Sequence, residues 1–394
     1  MEESKAKRIL ILSCIGYFSL GIVVASMGPM LAQFAGNNGT TLATIGGVYT
    51  AFYLGAFLAQ VVLGPLTDKW GQMRALSVSL LLCAFALSSV TFSRWLPLTL
   101  VLFFFSGVGF GMANLCGNVL IGRIFNGKSV SPINWLNAFF GIGAFVGPMM
   151  VSFSLHSWQT GAPAMWVGAV LMTASVSVLI YQFFNIKMGT TSPDGTEPHK
   201  PMRYSAFLWT LGALILIYVG TETAVGGWST TYLQNTTTLN IEQSALATAG
   251  FWLAITAGRM MGALIGSRIS AANVLKICLG IALTGVILFM LTYGHGVMSI
   301  VSILIIGWGF GAIYPTGMAI MTEAYPHTPG QAASVIIAMG SIGGTIIPWL
   351  QGITLDQLGM RFGTYLIALM VVLLIISFSA NQWVKKRILK PITE

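Results

Sequence analysis

Charged residues are scarce in this sequence. Asp, Glu, Lys and Arg together make up 7% of the 394 residues, and only 10 residues are acidic. Soluble globular proteins carry about 25% charged residues. With 55% hydrophobic residues and a mean hydropathy of +0.82, the chain is predicted to be an integral membrane protein. The scarcity of acids also excludes a carboxylate-rich soluble hydrolase.

Cysteine and histidine are equally few, at four residues each. The cysteines form neither a CxxC pair nor a metal-ligand spacing, and they are predicted to pack inside apolar runs: Cys14, Cys83, Cys116 and Cys278. The histidines are scattered near loops, and the sequence has no nucleotide-binding loop or nucleophile motif. We therefore expect no enzyme activity, no metal and no cofactor.

Long apolar runs account for most of the chain. A helix needs about 20 apolar residues to cross a bilayer, and in lipid it satisfies its own backbone hydrogen bonds. Twelve such runs are predicted to be transmembrane helices, at residues 8–34, 42–67, 73–91, 95–125, 131–156, 162–186, 204–233, 241–266, 272–293, 297–323, 329–354 and 362–386. The expected fold class is all-α integral membrane.

One long polar stretch divides these runs into six plus six. Residues 187–203 are rich in Gly, Thr and Pro and have no apolar periodicity, as in a linker. The predicted domains are an N-terminal six-helix bundle, 1–186, and a C-terminal bundle, 204–394. Two similar halves are the plan of many secondary transporters, which bind their substrate between the halves near the bilayer midplane.

Basic residues indicate the orientation. The formal net charge is +9, but the bases are spread between apolar runs, so nucleic acid is not an expected partner. Apart from Arg94, Arg361 and the intrahelical Arg259, they all fall on the side that contains both termini and the linker. By the positive-inside rule, that side is predicted to be cytoplasmic.

A charged loop between the second and third runs carries a recognisable motif. It reads Gly64-Pro-Leu-Thr-Asp68-Lys-Trp-Gly71-Gln-Met-Arg74, where glycine permits a tight turn and the acid can cap a helix N-terminus. The motif resembles the signature loop of the major facilitator superfamily, roughly Gly-x-x-x-Asp-Arg-x-Gly-Arg-Arg/Lys. The resemblance implies two pseudo-symmetric six-helix bundles, with Gly64, Asp68, Gly71 and Arg74 acting at a gate.

Three further charged residues are predicted to act at gates. Arg123, at the cytoplasmic end of the fourth run, is the expected partner of Asp68. The equivalent stretch of the second half lacks an acid. Glu323, at the end of the tenth run, is therefore expected to pair with Arg259 or Arg268.

An acid lies near the middle of the seventh run. A charge there costs about 3 kcal/mol on insertion scales, so Glu222 is a functional candidate. The first six runs contain no midplane acid, which makes Glu222 the expected proton-coupling and substrate-binding residue. Trp228, six residues later, offers a stacking face for substrate. The alternative is an acid that only fixes helix packing.

Amide and aromatic side chains complete the predicted substrate site. Asn114 and Asn118 lie four residues apart on one helical face, and Asn137 lies in the fifth run. Amides donate and accept hydrogen bonds, which suits a polyhydroxylated neutral ligand. A sugar ring also has apolar faces, so Trp252 and Tyr314 are expected to stack on it. A purely structural role is the alternative for each aromatic residue.

Short Gly-rich pieces narrow the resemblance. Gly-Thr-Glu-Thr-Ala at 220–224, Gly-Arg-Met-Met-Gly at 258–262 and Gly-Ala-Ile-Tyr-Pro at 311–315 are similar to the fucose permease and glucose/mannose permease branch. That resemblance implies a monomeric, proton-coupled sugar symporter of the bacterial inner membrane. Asn114 stands where those permeases carry an acid, which leaves either Glu222 as the coupling residue or an uncoupled facilitator.

Other functions stay open at this point. The stretch Gly141-Ile-Gly-Ala-Phe-Val-Gly-Pro148 resembles part of drug/proton antiporters, so a drug or metabolite exporter with the same fold is the main alternative. A non-transporting nutrient sensor is a third, although sensors usually add a soluble domain. Sodium is the alternative coupling ion, and the direction of transport is open.

Overall fold

The described part of the chain is helical almost throughout. The computed structural model describes residues 3–63, 70–125, 130–183, 205–266, 268–325 and 329–388. The α-helices are Glu3–Ser26, Leu31–Asn37, Leu42–Ile45, Gly47–Leu58, Gln72–Val90, Leu96–Ile124, Val130–Trp158, Ala162–Phe183, Ala206–Thr236, Ile241–Gly266, Ala271–Leu291, Gly296–Gly311, Ile313–Ala324, Pro329–Ile353 and Met360–Ile388. Two π-helical turns, Ala59–Leu63 and Thr354–Leu358, follow two of them. The predicted linker, 187–203, lies outside the described residues.

Twelve segments of the described chain are long and apolar enough to cross a membrane, as predicted. Spans 1 to 12 are Ser4–Ser26, Leu42–Leu63, Gln72–Val90, Leu96–Ile121, Trp135–Trp158, Ala162–Tyr181, Ala206–Thr236, Ile241–Gly266, Ala271–Leu291, Gly296–Ala324, Ala332–Leu358 and Met360–Arg387. The all-α membrane fold class is therefore confirmed. An even number of crossings places both chain ends on one face, which we call the terminal face; the other is the distal face.

The predicted first helix is too long. Its α-helix ends at Ser26, and Leu31–Asn37 forms a separate short helix. Pro29 lies in the break between them. Proline has no backbone N–H and its ring clashes with the preceding turn, which favours a kink or a break. The helix breaks near Pro29, whereas Val130–Trp158 continues past Pro148 and Pro329–Ile353 past Pro348.

Glycine brings helices into close contact at equivalent places in the two halves. A Cβ atom added to any of four glycines would collide with a backbone carbonyl group of the neighbouring span: Gly143 against Phe18, Gly343 against Leu216, Gly107 against Phe52, and Gly307 against Phe251. The first two pairs join spans 1 and 5 and spans 7 and 11, and the others join spans 2 and 4 and spans 8 and 10. Each contact of one half thus recurs six spans later, as expected for inverted or repeated halves.

Two pairs of spans form most of the contact between the halves. Span 5 packs along span 8, and span 2 packs along span 11. These pairs are also equivalent under the six-span repeat. The space between the halves is therefore bordered by spans 2, 5, 8 and 11, with spans 1 and 7 reaching it from either side.

The four cysteines are buried and form no disulfide bond, which agrees with the prediction that they pack inside the helices. Each lies within a span, surrounded by apolar neighbours. A buried thiol behaves as a small apolar side chain. The cysteines therefore contribute to packing. The groups that can bind a solute or a proton are polar side chains elsewhere in the spans.

Candidate functional site

The halves meet through glycine backbone on the distal side. A Cβ atom at Gly28 would lie 2.6 Å from the carbonyl oxygen of Gly226 and 2.8 Å from that of Gly227. Real Cβ atoms essentially never come so close to backbone oxygens. Only glycine therefore permits this approach of the segment after span 1 to span 7. We call Gly28, Gly226 and Gly227 the glycine seal.

Side chains of span 2 extend the contact across the middle of the membrane. The Thr50 hydroxyl donates to the Thr345 carbonyl oxygen at 3.0 Å. The hydroxyls of Tyr53 and Thr223 share a hydrogen bond of 3.0 Å. Span 2 is thus tied to spans 11 and 7 of the other half.

A second set of contacts lies at the distal rim. The Ser152 hydroxyl of span 5 donates to the Glu242 carbonyl oxygen of span 8 at 2.9 Å. The Nδ1 atom of His156 lies 3.1 Å from the Glu242 carboxylate. Within the described ranges, every hydrogen bond that joins the halves lies in the middle or distal part of the spans. The arrangement is therefore closed on the distal face.

A small cavity of about 30 Å³ lies beside the glycine seal. Its lining comes from both halves: Val24, Ala25, Met27, Gly28, Tyr49, Phe52 and Tyr53 from one, and Thr223, Gly226, Gly227 and Trp252 from the other. This volume is far below the roughly 300–1,000 Å³ that ligand pockets occupy, so the space has to widen before it can hold a solute larger than water. Aromatic faces with a few hydroxyl and N–H groups are suited to a small, polar, uncharged solute.

The predicted acid lies one residue from this cavity. The Glu222 side chain is 13% exposed, and its Oε1 atom lies 3.6 Å from Nη2 of Arg259. The Tyr218 hydroxyl donates to the same oxygen at 2.8 Å. The ring of Tyr314, another predicted residue, has its centroid 6.4 Å from that of Tyr218. Span 7 thus holds an acid between a hydroxyl and a guanidinium.

The position of Arg259 differs from the predicted latch. Its guanidinium faces Glu222, whereas Glu323 is exposed and forms no ion pair with it among the described residues. Helical side chains point toward the helix N-terminus, and span 8 begins at the distal face. Arg259 therefore extends toward the membrane middle, where the acid of span 7 lies.

The predicted amides bond to their own helices. Asn114 Nδ2 donates to the Phe110 carbonyl oxygen at 3.1 Å, and Asn118 Nδ2 donates to that of Asn114 at 2.7 Å. Asn137 is exposed and donates to the carbonyl oxygen of Ile133 at 2.9 Å. The structure does not bring these three side chains to the cavity, in contrast to the prediction.

The two predicted tryptophans have different surroundings. Trp252 lines the cavity, as expected for a substrate contact. Trp228 is 1% exposed, and its Nε1 atom donates to the Pro348 carbonyl oxygen at 2.9 Å. Its ring also lies against Gly46 of the other half, where an added Cβ would be 2.9 Å away. Trp228 thus packs between the halves, contrary to the stacking role predicted for it.

The predicted signature loop is described only in part. Gly64 and Asp68 lie outside the described residues, as does the side chain of Arg123. Gly71 has a φ of 88°, a conformation that suits glycine and agrees with the expected turn. Arg74 lies in the first turn of span 3. The gate roles of these residues therefore stay predictions.

The sequence reasoning missed three tyrosines. Tyr49 and Tyr53 are four residues apart on the cavity face of span 2, and Tyr218 is four residues before Glu222. This spacing was available in the sequence, since residues four apart share a helical face. Nothing in the sequence, however, showed which face of span 2 meets the other half.

The Major Facilitator Superfamily pattern matches residues 13–294 and, a second time, residues 210–388. The chain belongs to the major facilitator superfamily. The second match covers the C-terminal half alone, in agreement with repeated halves. Membership confirms the resemblance seen in the signature loop, and it confirms that the chain is a transporter-family protein and not an enzyme.

Relatives within the superfamily include two sugar transporters. The chain is 22% identical to the human sodium-dependent glucose transporter 1 over 374 residues, which cover 86% of this chain and 72% of that protein. It is also 22% identical to the glucose/mannose transporter GlcP of Bacillus subtilis over 362 residues, covering 86% of each. The resemblance to the glucose/mannose permease branch is thus confirmed.

A solved structure agrees with the fold. A mutant of the nucleoside transporter NupG superimposes with a TM-score of 0.76, covers 96% of this chain and 99% of its own, and is 14% identical in sequence. At this identity the likeness concerns the fold alone. It places the twelve spans described above in the superfamily arrangement.

Proposed function

We propose that the protein transports a monosaccharide by alternating access and couples the transport to protons through Glu222. One observation carries this proposal: an acid that can bind a proton lies next to a cavity whose lining comes from both halves and which is closed on one face. Substrate in such a cavity contacts both halves at once. A relative movement of the halves then exposes it to the opposite face.

The cavity lining supports a sugar as the substrate. Aromatic rings cover the apolar faces of a sugar, while the hydroxyl of Tyr49 and the indole N–H of Trp252 suit its polar edge. The names of the human and Bacillus subtilis relatives point to the same substrate class. The other proposed contacts are Glu222 and Tyr314. Asn114, Asn118 and Asn137 do not line the cavity in this arrangement and stay candidate contacts for the rest of the transport cycle.

The coupling proposal rests on what a proton changes at Glu222. The ionised carboxylate attracts Arg259, and a protonated one does not. Proton binding therefore releases the guanidinium and weakens the contact between spans 7 and 8. Na⁺ is the alternative ion, since the human relative is named sodium-dependent. Na⁺ needs several oxygen ligands, whereas Oε1 of Glu222 already accepts from Tyr218 and faces Arg259; a proton needs only one carboxylate oxygen, which supports the proton.

The orientation proposal combines charge with the closed distal face. If the terminal face is cytoplasmic, as the positive-inside rule predicts, the structure is closed to the outside. We propose a monomer in a bacterial inner membrane with both termini cytoplasmic. We propose that the signature-loop residues, with Arg123 and Glu323, form a gate on the cytoplasmic side. This gate closes when the distal face is open.

Proteoliposome transport of the Glu222→Gln variant tests the coupling. We expect loss of uphill uptake driven by a pH gradient, with exchange of labelled sugar across the membrane retained. Asp356→Asn, which neutralises an exposed acid far along span 11, serves as the matched control. A sodium gradient that drives uptake at constant pH would contradict proton coupling, and loss of exchange as well would make Glu222 a direct substrate ligand.

A thermal-shift screen tests the substrate class. The purified protein is heated with monosaccharides, polyols, nucleosides and cationic drugs, and a bound substrate raises the melting temperature by mass action. We expect stabilisation by a monosaccharide. Stabilisation by lipophilic drugs alone would replace this proposal with the exporter.

A further inference from the structure

We propose that Tyr49 and Trp252 bind one hydroxyl group of the substrate from opposite halves of the molecule. The inference rests on the proposed function and names the polar contacts of that site. It assigns the contact from the first half to Tyr49, in place of the amides of span 4. A substrate held in this way joins span 2 to span 8 across the cavity.

The two polar atoms are buried and have no partner. Tyr49 is 4% exposed, and neither its hydroxyl nor Nε1 of Trp252 forms a hydrogen bond with a protein group among the described residues. Both side chains line the same cavity. Buried polar atoms almost always have hydrogen-bond partners, so two unpartnered ones on residues that line one cavity favour a ligand group as their shared partner once the cavity widens around a substrate.

Neighbouring side chains of the same kinds already have partners. The Tyr53 hydroxyl bonds to Thr223 at 3.0 Å, and the Trp228 indole bonds to the Pro348 carbonyl oxygen at 2.9 Å. These two side chains hold the protein together. Tyr49 and Trp252 differ from them in having their polar atoms free to bind a solute.

The donor and acceptor chemistry selects the ligand group. An indole N–H only donates, whereas a phenol hydroxyl both donates and accepts. A hydroxyl group satisfies both residues, because it accepts from Trp252 and exchanges a hydrogen bond with Tyr49. A methyl ether can still accept but cannot donate, and a deoxy position does neither.

The glycine seal holds both side chains in place. A Cβ on Gly227 would collide with the Tyr49 hydroxyl, and one on Gly226 would lie 2.9 Å from the Trp252 ring. The two residues therefore converge only while the distal face is closed. Because they belong to opposite halves, opening the distal face separates them, and a substrate bound to both favours the closed arrangement.

Binding measurements with substrate analogues test the proposal. Affinities of the sugar found in the thermal-shift screen, and of its monodeoxy and mono-O-methyl derivatives, are measured by calorimetry on the wild type, Tyr49→Phe and Trp252→Phe. We expect one hydroxyl position at which the deoxy analogue binds the wild type at least tenfold more weakly. Each variant should bind the parent sugar about tenfold more weakly and no longer distinguish it from that analogue.

Tyr232→Phe is the matched control. Its hydroxyl is also buried and without a partner, but it does not line the cavity, and its ring packs on Phe289 with centroids 4.6 Å apart. This variant removes the same atom and should keep the full preference for the parent sugar. The analogue series on the wild type needs no variant, so it remains informative if one variant folds poorly.

The outcomes separate this inference from the proposed function. If no sugar binds, the proposed function fails and this inference fails with it. If a sugar binds but both variants retain the wild-type ranking of its analogues, only this inference is overturned. This inference alone is also overturned if the wild type binds every single-position analogue as tightly as it binds the parent sugar.

Discussion

The two halves of the molecule use their buried polar groups in different ways. In the first half, Asn114 and Asn118 donate to carbonyl groups of their own helix, and the Tyr17 hydroxyl donates to the Ala113 carbonyl oxygen at 2.8 Å. In the second half, Glu222 meets Arg259 of another span. The first set stabilises helices, whereas the second changes when a proton binds. Energy coupling is therefore expected to depend on the second half.

Removing one charge from the second half should have the largest effect. Arg259→Gln leaves the buried Glu222 carboxylate without its cation, and breaking a buried pair costs about 3 kcal/mol or more. We expect a lower melting temperature in detergent and loss of coupled transport. The double variant Glu222→Gln, Arg259→Gln should recover most of the stability. Purely additive losses of stability would show that the two residues are not coupled.

Adding one methyl group to the glycine seal should have the next largest effect. Gly28→Ala places a Cβ against backbone oxygens of span 7, which cannot move away as a flexible side chain can. We expect the distal face to stay open, so a cysteine in place of Met27, which is buried beside the seal, should react with a thiol reagent added from that side. Gly280→Ala, whose Cβ would meet nothing within 4 Å, is the control. Equal labelling in both backgrounds would argue against the seal.

Replacing an amide of the first half should have a smaller effect. Asn114→Leu or Asn118→Leu removes a side chain whose N–H group already serves its own helix. The amide oxygen and the second N–H group stay available for binding, and one net hydrogen bond contributes about 1 kcal/mol or roughly fivefold in affinity. Calorimetry with the transported sugar measures this. A loss a hundredfold or greater would return the centre of the site to span 4.

Removing the His156–Glu242 contact at the distal rim should have the smallest effect on transport. The His156 side chain is 75% exposed where it meets Glu242, and exposed ion pairs contribute about 0.2–1 kcal/mol. We expect His156→Ala to change the initial rate of uptake by less than about fivefold. Complete loss of transport would show that the rim, and not the glycine seal, controls the distal face.

The sequence was sufficient for the fold and for part of the site. Apolar runs and the signature motif predicted twelve spans, and the cost of a buried charge identified Glu222. The proximity of Arg259 to Glu222 was not predicted, because the sequence does not show which helix faces span 8; the pairing of Glu323 with Arg259 or Arg268 at a gate stays a prediction. The residue type alone could not show which of the two tryptophans, Trp228 or Trp252, lines the cavity. Their difference depends on whether the other half covers the ring.

The sequence also could not show how span 2 is rotated about its own axis. Its residues are apolar on every side, as in many membrane helices, so hydrophobic periodicity does not indicate an inner face. Nothing in the sequence therefore distinguishes Tyr49 and Tyr53 from other aromatic residues of the membrane helices. Only the packing of span 2 on span 11 shows that they face the other half.

The backbone construction of the glycine seal has an electrical consequence. A membrane potential gives each elementary charge about 2.3 kcal/mol per 100 mV, and a transporter that leaks protons dissipates that energy without moving solute. Gly28, Gly226 and Gly227 have no side chains that could bind a proton or carry it along a chain of hydroxyls. A barrier made of tightly packed main chain is thus an insulator, and its insulation does not vary with the acidity of the medium.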